Sequence, residues 1–236
     1  MKVKIAEFNT ASTFGEDKKS DWLRSAKLLE ELHADVIGCE EVTVHEDFVP
    51  DLDMPALYGD YLKMPAIFGK ATSRDNVGDY GLMTLSKYPS KLVDKIDLPT
   101  PPGYEQRICL IVKIEAETPF YFLVAHFCTG TEYPDAQKNR MEAIRMITEK
   151  VEKEHLTPAV FCGDFNATPE TEEIQYLHSL WDVCNNFIPW TATHHSGATL
   201  DYICTYPKGA VKLLDFRVGP WTIASDHCPL TAELEF

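Results

Sequence analysis

The chain has 236 residues, 44% of them hydrophobic, which is enough for one large core and short for two ordinary domains. Charged residues make up 25%, and glycine and proline are near average, which excludes fibrous and intrinsically disordered proteins. The 37 acidic and 22 basic residues give a net charge of −15, which weighs against a nucleic-acid substrate because nucleic-acid-binding proteins usually carry a basic stripe. We expect one globular domain over residues 1–236.

Short apolar runs recur along the chain, and several alternate with polar residues at period two, as half-buried strands do. Val3 and Ile5 alternate with lysines in the first run, and Leu230, Ala232 and Leu234 alternate with polar residues in the last. Between these two, the sequence predicts exposed loops over 69–79 and 98–106 and strands over 35–40, 62–68, 80–87, 107–116, 119–127, 158–162, 200–206 and 211–218.

Three helices are predicted from apolar residues at helical spacing. The first follows Ser20 as its N-cap, and the second covers roughly 134–154. The third begins with Thr168 as its N-cap and Pro169 at the first helical position. Many strands, few helices and no internal repeat indicate the α/β class, with two packed sheets of mixed strand direction flanked by helices.

The sequence also indicates a compartment. No stretch approaches the roughly 18 apolar residues that span a membrane, and the N-terminus lacks the apolar segment of a signal peptide, so we expect neither. The seven cysteines cannot all pair within the chain, and several lie in apolar runs. These features favour a reducing, cytoplasmic setting without a disulfide framework.

Acids, amides and histidines fall at the ends of the predicted strands, where they can converge on one rim while apolar strand interiors hold them in place. They are, in chain order, Asn9, Glu41, His126, Asp164, Asn166, Asp201, Asp226 and His227. In an extended chain the side chains of Asp164 and Asn166 point the same way, whereas Phe165 points into a core. A carboxylate can orient or deprotonate water, and an amide can donate to a phosphoryl oxygen without adding charge.

Taken alone, each of these residues has a purely structural interpretation. Residues 163–166 could form an Asx turn, Glu41 could be a solvated acid, and His126 could be a hydrogen-bonded core histidine. Taken together and in order, these interpretations explain the pattern poorly. A zinc site is disfavoured, because the adjacent His194 and His195 would struggle to bind one ion together. Carboxylate and amide oxygens instead suit Mg²⁺ or Mn²⁺.

With these residues in this order, the sequence resembles the endonuclease/exonuclease/phosphatase superfamily, which includes deoxyribonuclease I, abasic-site endonucleases, neutral sphingomyelinases, inositol polyphosphate 5-phosphatases and deadenylases. The matching segments span essentially the whole chain. They are Glu7-Phe8-Asn9, Cys39-Glu40-Glu41-Val42, residues 81–89, Glu105-Gln106-Arg107, Ala125-His126-Phe127, Gly163-Asp164-Phe165-Asn166, Leu200-Asp201-Tyr202-Ile203 and Ser225-Asp226-His227.

The resemblance implies a four-layer α/β sandwich of two packed, mostly antiparallel mixed sheets, with the site at one end of both sheets. It implies that Glu41 is the principal ligand of a Mg²⁺ or Mn²⁺ ion, assisted by Asn9 and Asp226. One departure concerns this region, because the family usually has glutamine before its metal-binding glutamate and this chain has Glu40.

The resemblance also implies the catalytic roles. Asp164 would position or deprotonate the attacking water, and Asn166 would hold the phosphoryl group. His227, oriented by Asp201, would stabilise the transition state or protonate the leaving group, and His126 would bind the phosphate from the other side. We expect Asp201 and His227 to form a hydrogen-bonded pair that raises the pKa of the histidine.

Loops at the rim are expected to contact the substrate. The substrate-binding residues are predicted to be Arg107, Asp79, His194 and Trp190, with Lys70, Ser73, Arg74 and His195 beside them. Asp79 is also expected to orient His126. One aromatic residue and a few bases suffice for one or two phosphates and an organic group, whereas a duplex needs many more contacts.

The resemblance implies a metal-dependent phosphoric ester hydrolase, and the net charge and rim residues favour a small-molecule or lipid-headgroup phosphate ester as its substrate. We expect a monomer. Deoxyribonuclease I and the lipid and inositol phosphatases carry a histidine where His126 stands, and no basic insert for gripping a duplex is evident. A DNA or RNA nuclease is the first alternative. A catalytically inactive binding protein on the same fold is the second, and the intact set of polar residues argues against it.

Overall fold

The computed structural model describes residues 1–74, 77–130 and 134–236. The strands are β1 (Lys2–Asn9), β2 (Val36–Val44), β3 (Ala66–Thr72), β4 (Asp79–Ser86), β5 (Ser90–Asp97), β6 (Ile108–Ile114), β7 (Phe120–His126), β8 (Ala159–Asp164), β9 (Asp182–Val183), β10 (Asp201–Tyr206), β11 (Lys212–Val218) and β12 (Leu230–Glu235). The α-helices are α1 (Trp22–Glu31), α2 (Met54–Leu62), α3 (Ala136–Lys153) and α4 (Glu172–Leu180). None of the helices in the described ranges is long and apolar enough to cross a membrane.

The strands form two six-stranded sheets with a similar internal arrangement. The first has the order β11-β12-β1-β2-β4-β3, and the second has the order β5-β6-β7-β8-β10-β9. Each sheet contains one parallel pair at its centre, β1 with β2 and β7 with β8, and its other neighbours are antiparallel. Because parallel strands need a crossover connection, α1 links the first pair and α3 links the second.

Three apolar layers hold the sheets and helices together. Side chains of both sheets, including Ile5 and Val124, fill the space between them. Leu29 and Tyr58 join α1 and α2 to the outer face of the first sheet, and a third cluster joins α3 and α4 to the outer face of the second. Because successive side chains of a strand point to opposite faces, a strand buried on both faces is almost continuously apolar, as the sequence of β7 is. The predicted four-layer sandwich of mixed, mostly antiparallel sheets is confirmed.

Three elements were not predicted, namely helix α2, strand β5 and the two-residue strand β9 at the edge of the second sheet. Helix α2 begins after Asp53, whose carboxylate accepts a hydrogen bond from the Ala56 amide, and it ends at Leu62. The predicted strand over 62–68 therefore starts later, as β3, and runs through part of the predicted loop over 69–79. Strand β5 was also missed, because it is a charged and largely exposed strand at the edge of its sheet.

Two predicted helix starts were wrong by a few residues. Helix α1 is capped by Asp21 rather than Ser20, because the Asp21 carboxylate accepts hydrogen bonds from two amides of the first turn. Helix α4 begins at Glu172, with Thr171 as N-cap. Thr168 instead accepts a hydrogen bond from the Thr171 amide in a turn that precedes the helix.

The topology brings the predicted site residues to one edge of the sandwich. Asn9, His126 and Asp164 are the last residues of β1, β7 and β8. Asp201 is the first residue of β10 and pairs with Asp164 in the antiparallel register, so it lies at the same edge. His227 lies just before β12, which runs antiparallel to β1.

Candidate active site

A cavity of about 700 Å³ opens at this edge. The predicted site residues that line it are Glu41, Arg107, His126, Asp164, Asn166, His194, Asp226 and His227. The other lining residues are Arg74, Tyr80, Glu105, Thr129, Gly130, Ser196, Ala198 and Leu200. Most of these side chains are polar or charged, so the cavity is suited to a polar ligand.

The turn after β8 places Asp164 and Asn166 at the cavity. Gly163 has a φ of +146°, and a Cβ atom there would lie 1.8 Å from the carbonyl oxygen of Ala125, so the close approach of β7 and β8 requires glycine. The Asp164 carboxylate accepts a hydrogen bond from the Asn166 amide at 2.9 Å, which is an Asx turn. The side chain of Asn166 donates to the carbonyl of Phe127 at 3.1 Å. The structural and the functional interpretation of this segment are therefore compatible.

An irregularity in β2 exposes Glu41 to the cavity. The register with β4 shifts between Cys39 and Val42, and Glu41 has a φ of +55°. The Asn9 side chain donates hydrogen bonds to Glu41 at 3.2 Å and to Asp164 at 3.1 Å, while its oxygen accepts the Ala11 amide at 3.0 Å. Through its side-chain N–H groups, Asn9 thus links Glu41 of the first sheet to Asp164 of the second, while the Ala11 amide occupies its oxygen.

Asp201 and His227 form the predicted pair. Nδ1 of His227 lies 2.9 Å from both carboxylate oxygens of Asp201, and Thr193 donates its hydroxyl to the same carboxylate at 2.5 Å. Burial by itself lowers the pKa of His227, but the negative charges of Asp201 and Asp164 outweigh it and raise the pKa to about 10. The pairing and the direction of the shift are confirmed.

His126 is held by Arg107. The guanidinium donates from Nη1 to Nδ1 of His126 at 2.8 Å, and Nε2 of His126 lies 3.5 Å from Asp164. Burial, together with the positive charge of Arg107, holds the pKa of His126 well below its usual range. The ring is therefore neutral. Arg107 Nη1 lies closer to Nδ1 than to Nε2, at 2.8 against 3.3 Å, so Nδ1 is the better acceptor, which leaves the proton on Nε2 facing Asp164.

The prediction that Asp79 orients His126 was wrong. Asp79 forms an ion pair with Lys70 at 2.5 Å and accepts a hydrogen bond from Ser73 at 3.2 Å. These partners hold the carboxylate at the start of β4, and the position beside the imidazole belongs to Arg107.

His194 lies beside a predicted metal ligand. Its Nε2 is 3.6 Å from the Asp226 carboxylate, and its ring centroid is 4.7 Å from that of His227. The interaction with His194, followed by the positive charge of His227, lowers the pKa of Asp226 to about 2. His194 was predicted to contact substrate, and it lines the cavity beside this carboxylate.

Five of the predicted rim residues do not line the cavity. Lys70 and Ser73 contact Asp79 instead, and Trp190 and His195 also lie outside the lining. Trp190 is 43% exposed and packs near the rings of His178 and Tyr202. His195 contacts Glu16 at 3.0 Å, outside the cavity lining. The sequence did not predict the positions of Trp190 and His195, because these residues lie outside helices and strands, in segments whose path depends on contacts with distant residues.

The opposite wall carries two guanidinium groups and one carboxylate. Arg74 donates from Nε to Glu105 at 2.5 Å and lies over the Tyr80 ring, 3.4 Å from its centroid. The other oxygen of Glu105 lies 3.1 Å from Arg107. Tyr80 is 1% exposed and was not predicted as a site residue, because in the sequence it reads as an ordinary buried strand residue.

The residues at the cavity fit a hard divalent cation. Glu41, Asp164 and Asp226 present carboxylate oxygens to it. Burial, and then the charge of Asp201, raises the pKa of Asp164 to about 7, although His227 opposes the shift. Negative charge is therefore costly here, and a bound cation would relieve it.

Comparisons with solved structures show what this architecture is similar to. A structure from Beutenbergia cavernae, described as an endonuclease/exonuclease/phosphatase, is 17% identical with a TM-score of 0.84, over 100% of this chain and 72% of that chain. The human Nocturnin catalytic domain with a bound sulfate anion is 18% identical with a TM-score of 0.73, over 100% and 93%. A mannosyl-6-phosphatase of Bacteroides thetaiotaomicron is 17% identical with a TM-score of 0.74, over 99% and 100%.

The structural similarities establish the fold, and a sequence comparison establishes the family. A search of curated protein sequences found no match. The family model described as Endonuclease/Exonuclease/phosphatase family matches residues 9–227, from Asn9 at the end of β1 to His227 before β12. The chain therefore belongs to the endonuclease/exonuclease/phosphatase family.

Proposed function

We propose that the protein is a divalent-metal-dependent hydrolase that cleaves a phosphate ester of a small polar molecule. The proposal rests on the groups that surround one carboxylate oxygen of Asp164, Oδ2. It accepts a hydrogen bond from Asn9 at 3.1 Å, and the Nε2 atoms of His126 and His227 lie 3.5 and 3.7 Å away. An acid that faces two histidines beside a further carboxylate, Glu41, is suited to orienting a water against a bound phosphoryl group.

The two histidines would act as different donors. His227 is positively charged between Asp201 and Asp164, so its Nε2–H stabilises negative charge that develops on the phosphate or on the leaving group. His126 is neutral and donates its Nε2–H without adding charge. Asn166 uses one side-chain N–H for the Phe127 carbonyl, and its second N–H makes no hydrogen bond to any residue of the described ranges.

Glu41, Asp164 and Asp226 would hold the divalent cation, Mg²⁺ or Mn²⁺. When bound, such a cation would neutralise negative charge on the phosphate. Asn9 positions the carboxylates of Glu41 and Asp164 by donating a hydrogen bond to each of them.

The lining of the cavity supports a small polar substrate. Apart from histidines, Tyr80 is the one aromatic side chain among its described lining residues, and Arg74 covers the Tyr80 ring. Recognition of single-stranded nucleic acid usually depends on exposed aromatic faces on which bases stack. The net charge of −15 also disfavours a long polyanion. A relative named as a mannosyl-6-phosphatase supports a sugar phosphate or a similar headgroup.

A substrate panel tests the proposal. The protein would be assayed with sugar phosphates, lipid-headgroup phosphates, a phosphodiester, plasmid DNA and RNA, in Mg²⁺, in Mn²⁺ and in excess chelator. We expect metal-dependent release from a small polar ester, with modest dependence on salt. Asp164→Asn should abolish it, whereas Asp215→Asn, a carboxylate that pairs with Arg217 on edge strand β11, should not.

Two outcomes would contradict the proposal. Efficient nicking of plasmid, with rates that collapse as salt rises, would favour a nuclease. No hydrolysis of any ester by the wild-type protein, in either metal, would favour a binding protein on this fold.

A further inference from the structure

We infer that Arg74 forms a second anion subsite in the cavity and selects phosphate esters whose leaving group carries another negative charge, either a phosphate or a carboxylate. This inference rests on the proposed function and narrows its substrate class. It depends on the contacts of Arg74, the position of Tyr80 beneath it, and the distribution of charge around the cavity.

Most hydrogen-bond donors of the Arg74 guanidinium have no acceptor among the described residues. Its Nε donates to Glu105, and its terminal nitrogens make no hydrogen bond to the residues in 1–74, 77–130 and 134–236. The side chain is 33% exposed and lines the cavity. A guanidinium carries five N–H donors in a planar fork that matches the oxygens of a carboxylate or phosphate.

The guanidinium is also held in place before any ligand binds. The buried Tyr80 ring lies 3.4 Å from it on one side, and Glu105 fixes its Nε at 2.5 Å. A flexible arginine loses side-chain entropy when it closes on a ligand, whereas a preorganised one loses less. Arg74 should therefore bind an anion more tightly than a flexible surface arginine of the same charge.

Arg74 and Arg107 have different neighbours and therefore different roles. Arg107 donates to His126 and therefore belongs with the groups around the reacting phosphate. Glu105 contacts both guanidinium groups, so the wall as a whole carries one net positive charge. Asp226 also lines the cavity and would repel an anion, whereas the charge of Glu41, which acts on Arg74 as well, would be neutralised by the cation that Glu41 is proposed to hold. A second anionic group is therefore best accommodated beside Arg74.

Tyr80 offers a further donor. Its hydroxyl is buried and has no hydrogen-bond partner among the described residues. A buried donor without a partner destabilises the protein, and an anion bound in this part of the cavity could accept its hydrogen. The cavity volume of about 700 Å³ lies within the roughly 300–1,000 Å³ of small-molecule sites, which leaves space for an organic group beyond one phosphate.

Three esters of one sugar test the inference. Glucose 1-phosphate carries one charged group, glucuronic acid 1-phosphate adds a carboxylate, and glucose 1,6-bisphosphate adds a phosphate. We expect kcat/KM at fixed ionic strength to be at least about tenfold higher for one or both of the doubly charged esters. The comparison between these two distinguishes a carboxylate from a phosphate as the second group.

Variants identify the residue responsible. Arg74→Gln should reduce the preference for the doubly charged ester about tenfold, and Arg74→Lys should restore only part of it because lysine lacks the fork. Tyr80→Phe keeps the ring beneath Arg74 and should reduce the preference by a smaller factor. Arg217→Gln removes the same charge from β11, where Arg217 pairs with Asp215 at 2.7 Å, and should leave the preference unchanged.

Equal kcat/KM for the three esters, with the same ratios in Arg74→Gln, would overturn the inference and leave the proposed function intact. If none of these three esters and no ester of the wider panel is hydrolysed, the proposed function fails instead. Calorimetric affinities for glucose 1-phosphate and glucuronic acid 1-phosphate would then decide about the subsite. Affinities that differ in the wild-type protein and converge in Arg74→Gln support it, and affinities that are equal in both proteins overturn it.

Discussion

Both carboxylate oxygens of Asp201 lie 2.9 Å from Nδ1 of His227. The carboxylate is itself fixed, because Thr193 donates its hydroxyl to it at 2.5 Å and accepts the Leu200 amide at 2.9 Å. This arrangement keeps the Nδ1 proton on the Asp201 side and leaves Nε2 facing Asp164 at 3.7 Å. The orientation and charge of the imidazole therefore depend on one buried carboxylate.

Asp201→Asn should lower kcat by about 10²-fold or more, because an amide neither favours the charged imidazole nor fixes its tautomer. Metal affinity, measured by calorimetry, should be unchanged, since Asp201 does not line the cavity. Unaltered kcat in this variant would mean that His227 does not act as a charged donor.

Removal of metal should abolish turnover and lower the melting temperature. A ligand at about 100 times its Kd stabilises the folded state by about 2.7 kcal/mol, and each kcal/mol corresponds to roughly 2–4 °C for a protein of this size. Glu41→Gln should lose most of this metal-induced increase, whereas Glu117→Gln, at an exposed turn, should keep it. Undiminished turnover in excess chelator would exclude a metal-dependent reaction.

The sequence predicted the parts of the site that local chain geometry determines. Asp164 and Asn166 were found together because only Phe165 separates them in a turn that follows an apolar strand. The partner of His126 was not found, because Arg107 reaches it through the register of β6 against β7, which only the folded sheet defines. Tyr80 gave no signal in the sequence, because its role depends on Arg74 lying over its ring.

The same distinction applies to the fold. The central strands are buried on both faces, so their apolar runs identified them directly. Helix α2 buries only Met54 and Tyr58 among its nine residues, and its short amphipathic pattern is weak. Strand β5 is extended because it pairs with β6. Its charged residues interrupt the apolar ones, so its sequence shows no regular alternation of apolar and polar residues.

Gly163→Ala should destabilise the protein severely. A methyl group there would meet the Ala125 carbonyl oxygen at 1.8 Å, and the φ of +146° is strained for any residue with a side chain. Because this contact belongs to the central parallel pair β7–β8, we expect a loss of several kcal/mol or failure to fold. Gly209→Ala is the control. Its φ is +74° but the space around it is open, so it should cost only about 1 kcal/mol in a denaturant titration.

Two acids, Glu7 and Glu40, are completely buried in the interior, and apart from each other their carboxyl groups have no hydrogen-bond partner among the described residues. They interact with each other, and burial followed by the charge of Asp201 raises the pKa of Glu7 well above its usual range. Burial likewise raises the pKa of Glu40, although its hydrogen bond with Glu7 opposes the shift. At position 40 the resemblance leads us to expect glutamine, so this pair is a particular feature of the chain.

Glu40→Gln should therefore stabilise the metal-free protein at alkaline pH. Both acids bind protons more tightly in the folded state than in the unfolded state, where the value is 4.5. Their contribution to stability is fully present below that value and is lost as pH rises through the raised folded pKa. The variant keeps the shape and can donate an amide hydrogen to Glu7, so it should be more stable by about 1–3 kcal/mol at high pH.

Thermal unfolding in chelator, from roughly pH 5 to pH 9, measures this effect. The melting temperature of the wild-type protein should fall with rising pH more steeply than that of Glu40→Gln. Glu173→Gln provides a control of opposite sign. Glu173 is equally buried but pairs with Arg140 at 2.8 Å, so its loss leaves a buried cation without its partner and should destabilise the protein across the range. Parallel pH profiles for the wild-type protein and Glu40→Gln would show that the two acids share no proton in the folded state.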